Sequence, residues 1–395
     1  MTFFTRFLLF EIFKPLVLLL TAFTGLILVG LVLERAVAEG LVTWSVAKLI
    51  PYLMPIAMQM TIPFALLLAV CVAYGKLSAD NELTAIKSCG ISPWAFIKPT
   101  VILGLCLSPL AVWLTDLAGS WGRPGMQQVV MHAFEEIVYR VLRTQGSYNN
   151  QKGFSIVVSS VEGPWLIKPV ITIFNEDRSS SREITADKAR LELDPVQDEL
   201  LVEVVNYRIE SDGGVLAAEG TDTLRLSLQQ TTRKGRDNEA PSQYALSQIG
   251  PQAQLERKKL VHHEQTLAAH LATALQLGRI DLFADGTSQQ MIHARDQSQQ
   301  RLSRLKSEPW RRWSAGFGCF FFVWCGLPLA VLMRTADYSK TILLCIVPIF
   351  FVYFPIFGLT LNEAKSGNWP GYTMWLANLV ALGVGTWMMR PIYRH

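Results

Sequence analysis

Residues 51–74 read PYLMPIAMQMTIPFALLLAVCVAY, twenty-four positions from Pro51 to Tyr74 without a Lys, Arg, Asp or Glu. A helix of about 20 apolar residues crosses the hydrocarbon core of a bilayer, so this stretch is long enough to span. A barrel strand would be about half as long and would alternate polar with apolar residues. Five further segments share the property: Pro15–Leu33, Pro99–Thr115, Trp313–Met333, Thr341–Leu361 and Tyr372–Met389. Prolines such as Pro63, Pro109 and Pro355 fall inside them. Bundled membrane helices tolerate such breaks because neighbours satisfy the freed carbonyls. Six transmembrane helices are predicted.

Composition agrees. Charged residues are 17% of the 395, against about 25% in an ordinary soluble domain. The deficit is confined to residues 1–120 and 310–395, while 121–309 has a soluble composition. This excludes a disordered chain and a plain cytosolic enzyme. A net charge of +4 is too small to argue for nucleic acid. The predicted organisation is therefore helices one to three in 1–120, a β domain in 121–235, a helical extension in 236–309 and helices four to six in 310–395.

Arg6 and Lys14 before the first span, with Ala36-Val37-Ala38 after it, resemble a signal peptide. The run exceeds an h-region of roughly 7–15 residues, and Glu34-Arg35 intrude before the cleavage site, so it reads as a retained helix. Arg6, Lys14, Lys76, Lys87, Lys98, Arg334, Lys340, Arg390 and Arg394 fall on one side of the six spans. The positive-inside rule makes that side cytoplasmic, with both termini, and turns the insert outward. Arg311 and Arg312, at the outer end of helix four, run against the rule.

Within the insert, Phe154–Val158, Leu166–Phe174, Ile184–Leu193 and Leu200–Ile209 read as strands, and Asp212-Gly213-Gly214 marks a hairpin. Antiparallel strands so spaced suggest a sandwich or jelly roll. Ile184, Ala186, Leu191 and Leu193 would face inward, lining either a closed core or a groove. The insert has no cysteine, so no disulfide holds it. From Ser242 to Ser307 the residues favour helix. His262, His263, His270 and His293 lie there without the spacing or acidic partners of a zinc site, and no metal is assigned.

There is no phosphate-binding Gly-x-x-x-x-Gly-Lys-Ser/Thr loop and no Gly-x-Ser-x-Gly elbow. The spans also lack the mid-depth carboxylates of ion-coupled carriers. Their polar exceptions, Gln59 and Asn378, read as interhelical hydrogen-bonding residues. The cytoplasmic stretch 78–90 is more informative. Ser78 can cap a short helix, Asp80 and Glu82 suit its first turns, and Gly90 can end it. Leu83 and Ile86 share a face, leaving Glu82 on a polar edge.

Glu82-Leu83-Thr84-Ala85-Ile86-Lys87-Ser88-Cys89-Gly90-Ile91-Ser92 resembles the pattern Glu-Leu-x-Ala-Leu-x-x-x-Gly-Ile-Ser of the LptF/LptG (YjgP/YjgQ) permease family, with Ile86 where the pattern has Leu. Glu183-Ile184-Thr185-Ala186-Asp187-Lys188-Ala189 is similar to that family's Ile-Thr-Ala strand. Arg311-Arg312-Trp313 and Gly326-Leu327-Pro328-Leu329-Ala330 are similar to the start and middle of its fourth helix. The likeness covers most of 1–230 and 310–395 and is weak over 252–306. It implies six transmembrane helices with a periplasmic β-jelly-roll-like domain between helices three and four. It further implies a non-catalytic half of an ABC transporter in the bacterial inner membrane, which extracts lipopolysaccharide and passes it towards the outer membrane.

The implied partners are an LptB-like ATPase dimer, which would bind the ATP, the other LptF/LptG-type permease, and LptC-like and LptA-like β proteins. No cofactor of its own is implied. Ser78, Asp80, Glu82, Leu83, Ala85, Ile86 and Gly90 would form the ATPase-coupling helix. Arg35, Arg123, Arg311 and Arg312 would meet lipid phosphates, interfacial anchoring being the alternative for the last two. Ile184, Ala186, Leu191 and Leu193 would line the lipid path. A membrane sensor or scaffold that moves nothing is the other reading of the residues.

Overall fold

The computed structural model describes residues 2–39, 43–150, 154–174, 181–194, 199–211, 214–227, 240–278, 285–333 and 338–394. Helix α1 covers Thr2–Glu39, α2 Thr43–Ala79, α3 Glu82–Ser88 and α4 Trp94–Leu117. A π-turn, Ala118–Gly122, leads into α5, Arg123–Gln145. After the strands come α6 (Leu246–Gln276), α7 (Gly286–Met333), α8 (Tyr338–Pro348), a second π-turn (Ile349–Tyr353), α9 (Phe354–Ser366) and α10 (Trp375–Arg394). The chain divides into two units, one of 1–29, 53–122 and 241–395, the other of 30–52 and 123–240.

Among the described residues, five helical stretches are long and apolar enough to cross a membrane: Thr5–Arg35, Val46–Ala79, Trp94–Val130, Gly286–Leu332 and Leu343–Ser366. The sixth apolar segment is not among them. A 3₁₀ turn over Gly371–Met374 delays the start of α10 to Trp375, so its 20 residues take in Arg390 and Pro391.

In the first unit one apolar core joins α1, α2, α3, α4, α7, α8 and α10 through residues such as Leu8, Leu66, Leu83, Phe96, Val323, Cys345 and Ala377. Lipid tails are as apolar as these side chains, so close backbone approach holds membrane helices together more than the hydrophobic effect does. Gly316 on α7 shows this: a Cβ there would lie 2.8 Å from the Val112 amide nitrogen of α4. Asn378 on α10 donates to the carbonyl (3.0 Å) and hydroxyl (2.9 Å) of Ser314 on α7, the interhelical role expected for it.

Among its described residues, the second unit carries eight strands in one curled antiparallel sheet. They are β1 (Ser147–Asn150), β2 (Phe154–Val157), β3 (Ser160–Glu162), β4 (Trp165–Ile167), β5 (Val170–Phe174), β6 (Ser181–Asp194), β7 (Glu199–Ser211) and β8 (Gly214–Ser227). The path runs β1-β2-β5-β6-β4-β3, and β7 lies between β6 and β8. The single strand expected over Leu166–Phe174 is two, β4 and β5, because Lys168 turns left-handed (φ 49°) before Pro169. Both pieces pair with β6, at Leu166–Ala189 and Val170–Thr185.

Ile184 and Ala186 are buried on even positions of β6, yet Ala189 and Leu191 are buried on odd ones. Strand side chains alternate strictly, so a parity change requires an irregularity. It sits at Asp187 and Asn206, which drop out of the β6–β7 register. Asn206 is left-handed (φ 51°) and donates to Asp187 at 3.0 Å. Beside it, Tyr207 donates to Asp222 at 2.9 Å, and that carboxylate raises the phenol's pKa above its ordinary value.

Candidate functional site

At one end of the first unit, α2 runs on through Ala79, and α3 starts only at Glu82. Ser78 is therefore not the cap of α3, as the sequence suggested. It is buried in the last turn of α2, and its hydroxyl donates to Val331 O of α7 at 3.1 Å. Asn81, left-handed at φ 58°, makes the turn instead, and Gly90 (φ 78°) follows the end of α3. The helix is Glu82–Ser88, shorter than the expected 78–90.

Leu83 is 3% exposed in the main core, whereas Asp80, Glu82 and Ala85 are exposed and Ile86 is half-buried. One turn back, the Tyr74 hydroxyl lies 2.6 Å from Thr100 Oγ1, tying α2 to α4. A force on the exposed edge of α3 thus reaches α2 through a single turn, α4 through Tyr74 and α7 through Ser78.

At the opposite ends of α4 and α7 lies a cluster that the sequence reading missed. Asp116 of α4 pairs with Arg312 Nη1 of α7 and accepts a hydrogen bond from Leu246 N of α6 at 2.9 Å. Arg312 Nη2 donates to Tyr244 O at 2.7 Å and Ser242 O at 3.2 Å, and its Nε lies 3.6 Å from Glu308. Gly119, in the first π-turn, lets this happen, since a Cβ there would overlap the Ser242 carbonyl oxygen. The available signal was one acid and one arginine at the same ends of consecutive antiparallel spans.

The arrangement gives protein partners to Arg311 and Arg312, the two basic residues that run against the expected charge bias. Arg311 is bound to Glu308 at 2.8 Å, and Arg312 has no exposed side-chain surface. As folded, Arg312 is spent on protein partners and does not offer its fork to a phosphate. Arg35, near the end of α1, and Arg123, first in α5, belong to the second unit and are half-buried.

In the β domain, Ile184, Ala186 and Leu191 are buried at 4%, 5% and 1% exposure, and the Leu193 side chain lies outside the described residues. The interior they face is filled from α5, whose Val138, Tyr139 and Leu142 join the same core. Tyr139 OH donates to Pro164 O at 2.7 Å and accepts from Leu191 N at 3.0 Å. Arg143 reaches Gly163 O at 3.0 Å. A helix unforeseen in the sequence thus closes the sheet's inner face.

The fold is that of a membrane protein with a helical bundle and an antiparallel β domain. The family model for the lipopolysaccharide export system permease LptF/LptG matches residues 6–391, nearly the whole chain, and the chain belongs to that family. Direct comparison with curated proteins finds no match.

Proposed function

We propose that this chain is one half of the permease of an ABC transporter, crossing the inner membrane six times with both termini cytoplasmic. It works with a second LptF/LptG-type permease and an LptB-like ATPase dimer that binds the ATP. The pair extracts lipopolysaccharide from the membrane and hands it to an LptC-like and LptA-like bridge. The observation that carries this reading is α3: its acidic edge at Glu82 is exposed while Leu83, the next residue, is anchored in the bundle core. An ATPase that grips Glu82, with Asp80, Ala85 and Ile86 beside it, would move the spans as one lever. Arg35, Arg123 and Arg311 are the cations assigned to lipid phosphates, Arg311 exchanging its Glu308 partner for the ligand. The acyl path follows Ile184, Ala186, Leu191 and Leu193, and its use requires α5 to withdraw.

Purification from membranes followed by mass spectrometry of protein and lipid tests the proposal. A stoichiometric ATPase with bound lipopolysaccharide supports it. A chain that carries neither is a scaffold.

A further inference from the structure

Helices α6 and α7 pack along each other, and α7 continues without interruption into the fourth span. The Asp116–Arg312 cluster fixes the start of α6 to the same level of the bundle. That level carries exposed Trp121, Trp310, Trp313, Trp369 and Tyr372, the aromatic belt of a membrane–water interface. From there α6 rises at 1.5 Å per residue. Arg257 and His262 therefore stand about 16 and 24 Å above the clasp.

The faces of α6 are sharply divided. Ile249, Glu256, Leu267 and Ala274 are buried. The opposite face presents Gln254, Arg257, Lys258, Val261, His262 and Gln265, which form one shallow depression. These residues recur at i, i+3 and i+4, so they make one stripe. Arg257 and Lys258 are exposed, and neither forms an ion pair among the described residues. Among the described residues of α6, Glu264 is the exposed acid beside the stripe, and exposed Ala268, Ala269 and Ala272 continue it outward.

We propose that this basic face of α6 receives the anionic saccharide of the lipopolysaccharide whose lipid end is held in the bundle. The inference rests on the transport reading and deepens it by naming where the sugar goes. A lipopolysaccharide carries carboxylates and phosphates on sugars that extend outward from its headgroup. A stripe of cations and amides, held upright on a helix packed along α7, which itself continues into a span, matches that chemistry in charge and in height. Gln254, Gln265 and His262 supply donors for hydroxyls, and Arg257 and Lys258 meet the charges.

The test uses the whole permease complex with its ATPase in nanodiscs. Arg257→Ser/Lys258→Ser is compared with the unaltered chain for binding of two probes: lipopolysaccharide with a phosphorylated saccharide, and lipid A without one. Both positions are exposed, so folding is retained, and thermal unfolding verifies it. The expected result is about a fivefold loss of affinity for the saccharide-bearing lipid, none for lipid A, and a difference that vanishes at high salt. A photocrosslinker at Val261 should capture that lipid. Equal loss for both probes, no loss for either, or capture of protein alone overturns the proposal. If the unaltered complex releases neither probe with ATP, the transport reading itself fails. If it releases both and the variant matches it, only the saccharide site does.

Discussion

Asp116 on α4 and Arg312 on α7 form an ion pair whose arginine is wholly buried, joining residues 196 positions apart at adjoining ends of two packed helices. A buried charge that loses its partner typically costs about 3–5 kcal/mol, while replacing both partners with apolar residues is often neutral. Asp116→Leu should therefore lower the thermal midpoint in detergent sharply, and so should Arg312→Met. Asp116→Leu/Arg312→Met should recover most of the loss, because Glu308 keeps Arg311. Additive losses in the double variant would show that the two side chains act independently.

Glu82→Lys tests the opposite end. Glu82 is exposed, so the substitution should leave unfolding within about 0.5 kcal/mol of the original. ATP-driven lipid release in proteoliposomes should fall at least tenfold. Leu83→Ala is the contrasting case. It removes a side chain 3% exposed in the core, and the resulting cavity should destabilise by about 2–5 kcal/mol. Full release by Glu82→Lys with the ATPase still bound would remove α3 from the coupling path.

Arg35, Arg123 and Arg311 are proposed to meet lipid phosphates, and their neutralisation tests that role. Arg35→Gln, Arg123→Gln and Arg311→Gln combined should weaken loading of bisphosphorylated lipid A about tenfold, the worth of one charge-assisted hydrogen bond of roughly 1.5 kcal/mol. Loading of dephosphorylated lipid A should change little, and ATPase docking not at all. Equal weakening for both lipids would assign the arginines to anchoring alone.

How far the fold could be read in advance depended on whether a signal was local. Charge-free runs such as Pro51–Tyr74 identify spans by length and composition, which need no tertiary information. Strand β6 was legible too, and its parity change between Ala186 and Ala189 already stood in the pattern. Ser78 misled because serine before an acidic turn is a cap signal, whereas its actual partner, Val331 O, lies 253 residues on. Asp116 and Arg312 were each visible, but nothing local pairs them. Helix α5 was missed for a similar reason. Val138, Tyr139 and Leu142 have helical spacing, yet only the folded sheet shows that they fill its interior.

That filled interior gives the last prediction. If acyl chains travel along Ile184, Ala186 and Leu191, the helix that covers them must leave, and its departure has to be affordable within a transport cycle. Its tethers include the two hydrogen bonds of Tyr139, the Arg143 bond to Gly163 O and the buried side chains of Val138 and Leu142. Tyr139→Phe removes the bonds but keeps the ring. It should loosen α5 by about 1–3 kcal/mol, read as faster amide exchange over residues 138–145. An aliphatic diazirine side chain at Ile184 or Leu191, close in shape to the native one, should capture α5 in the resting complex. During ATP turnover it should capture lipid, and Tyr139→Phe should raise the lipid fraction. If capture stays on α5 throughout turnover while lipid is still released, the inner face is a permanent core. The acyl chains would then have to pass outside it.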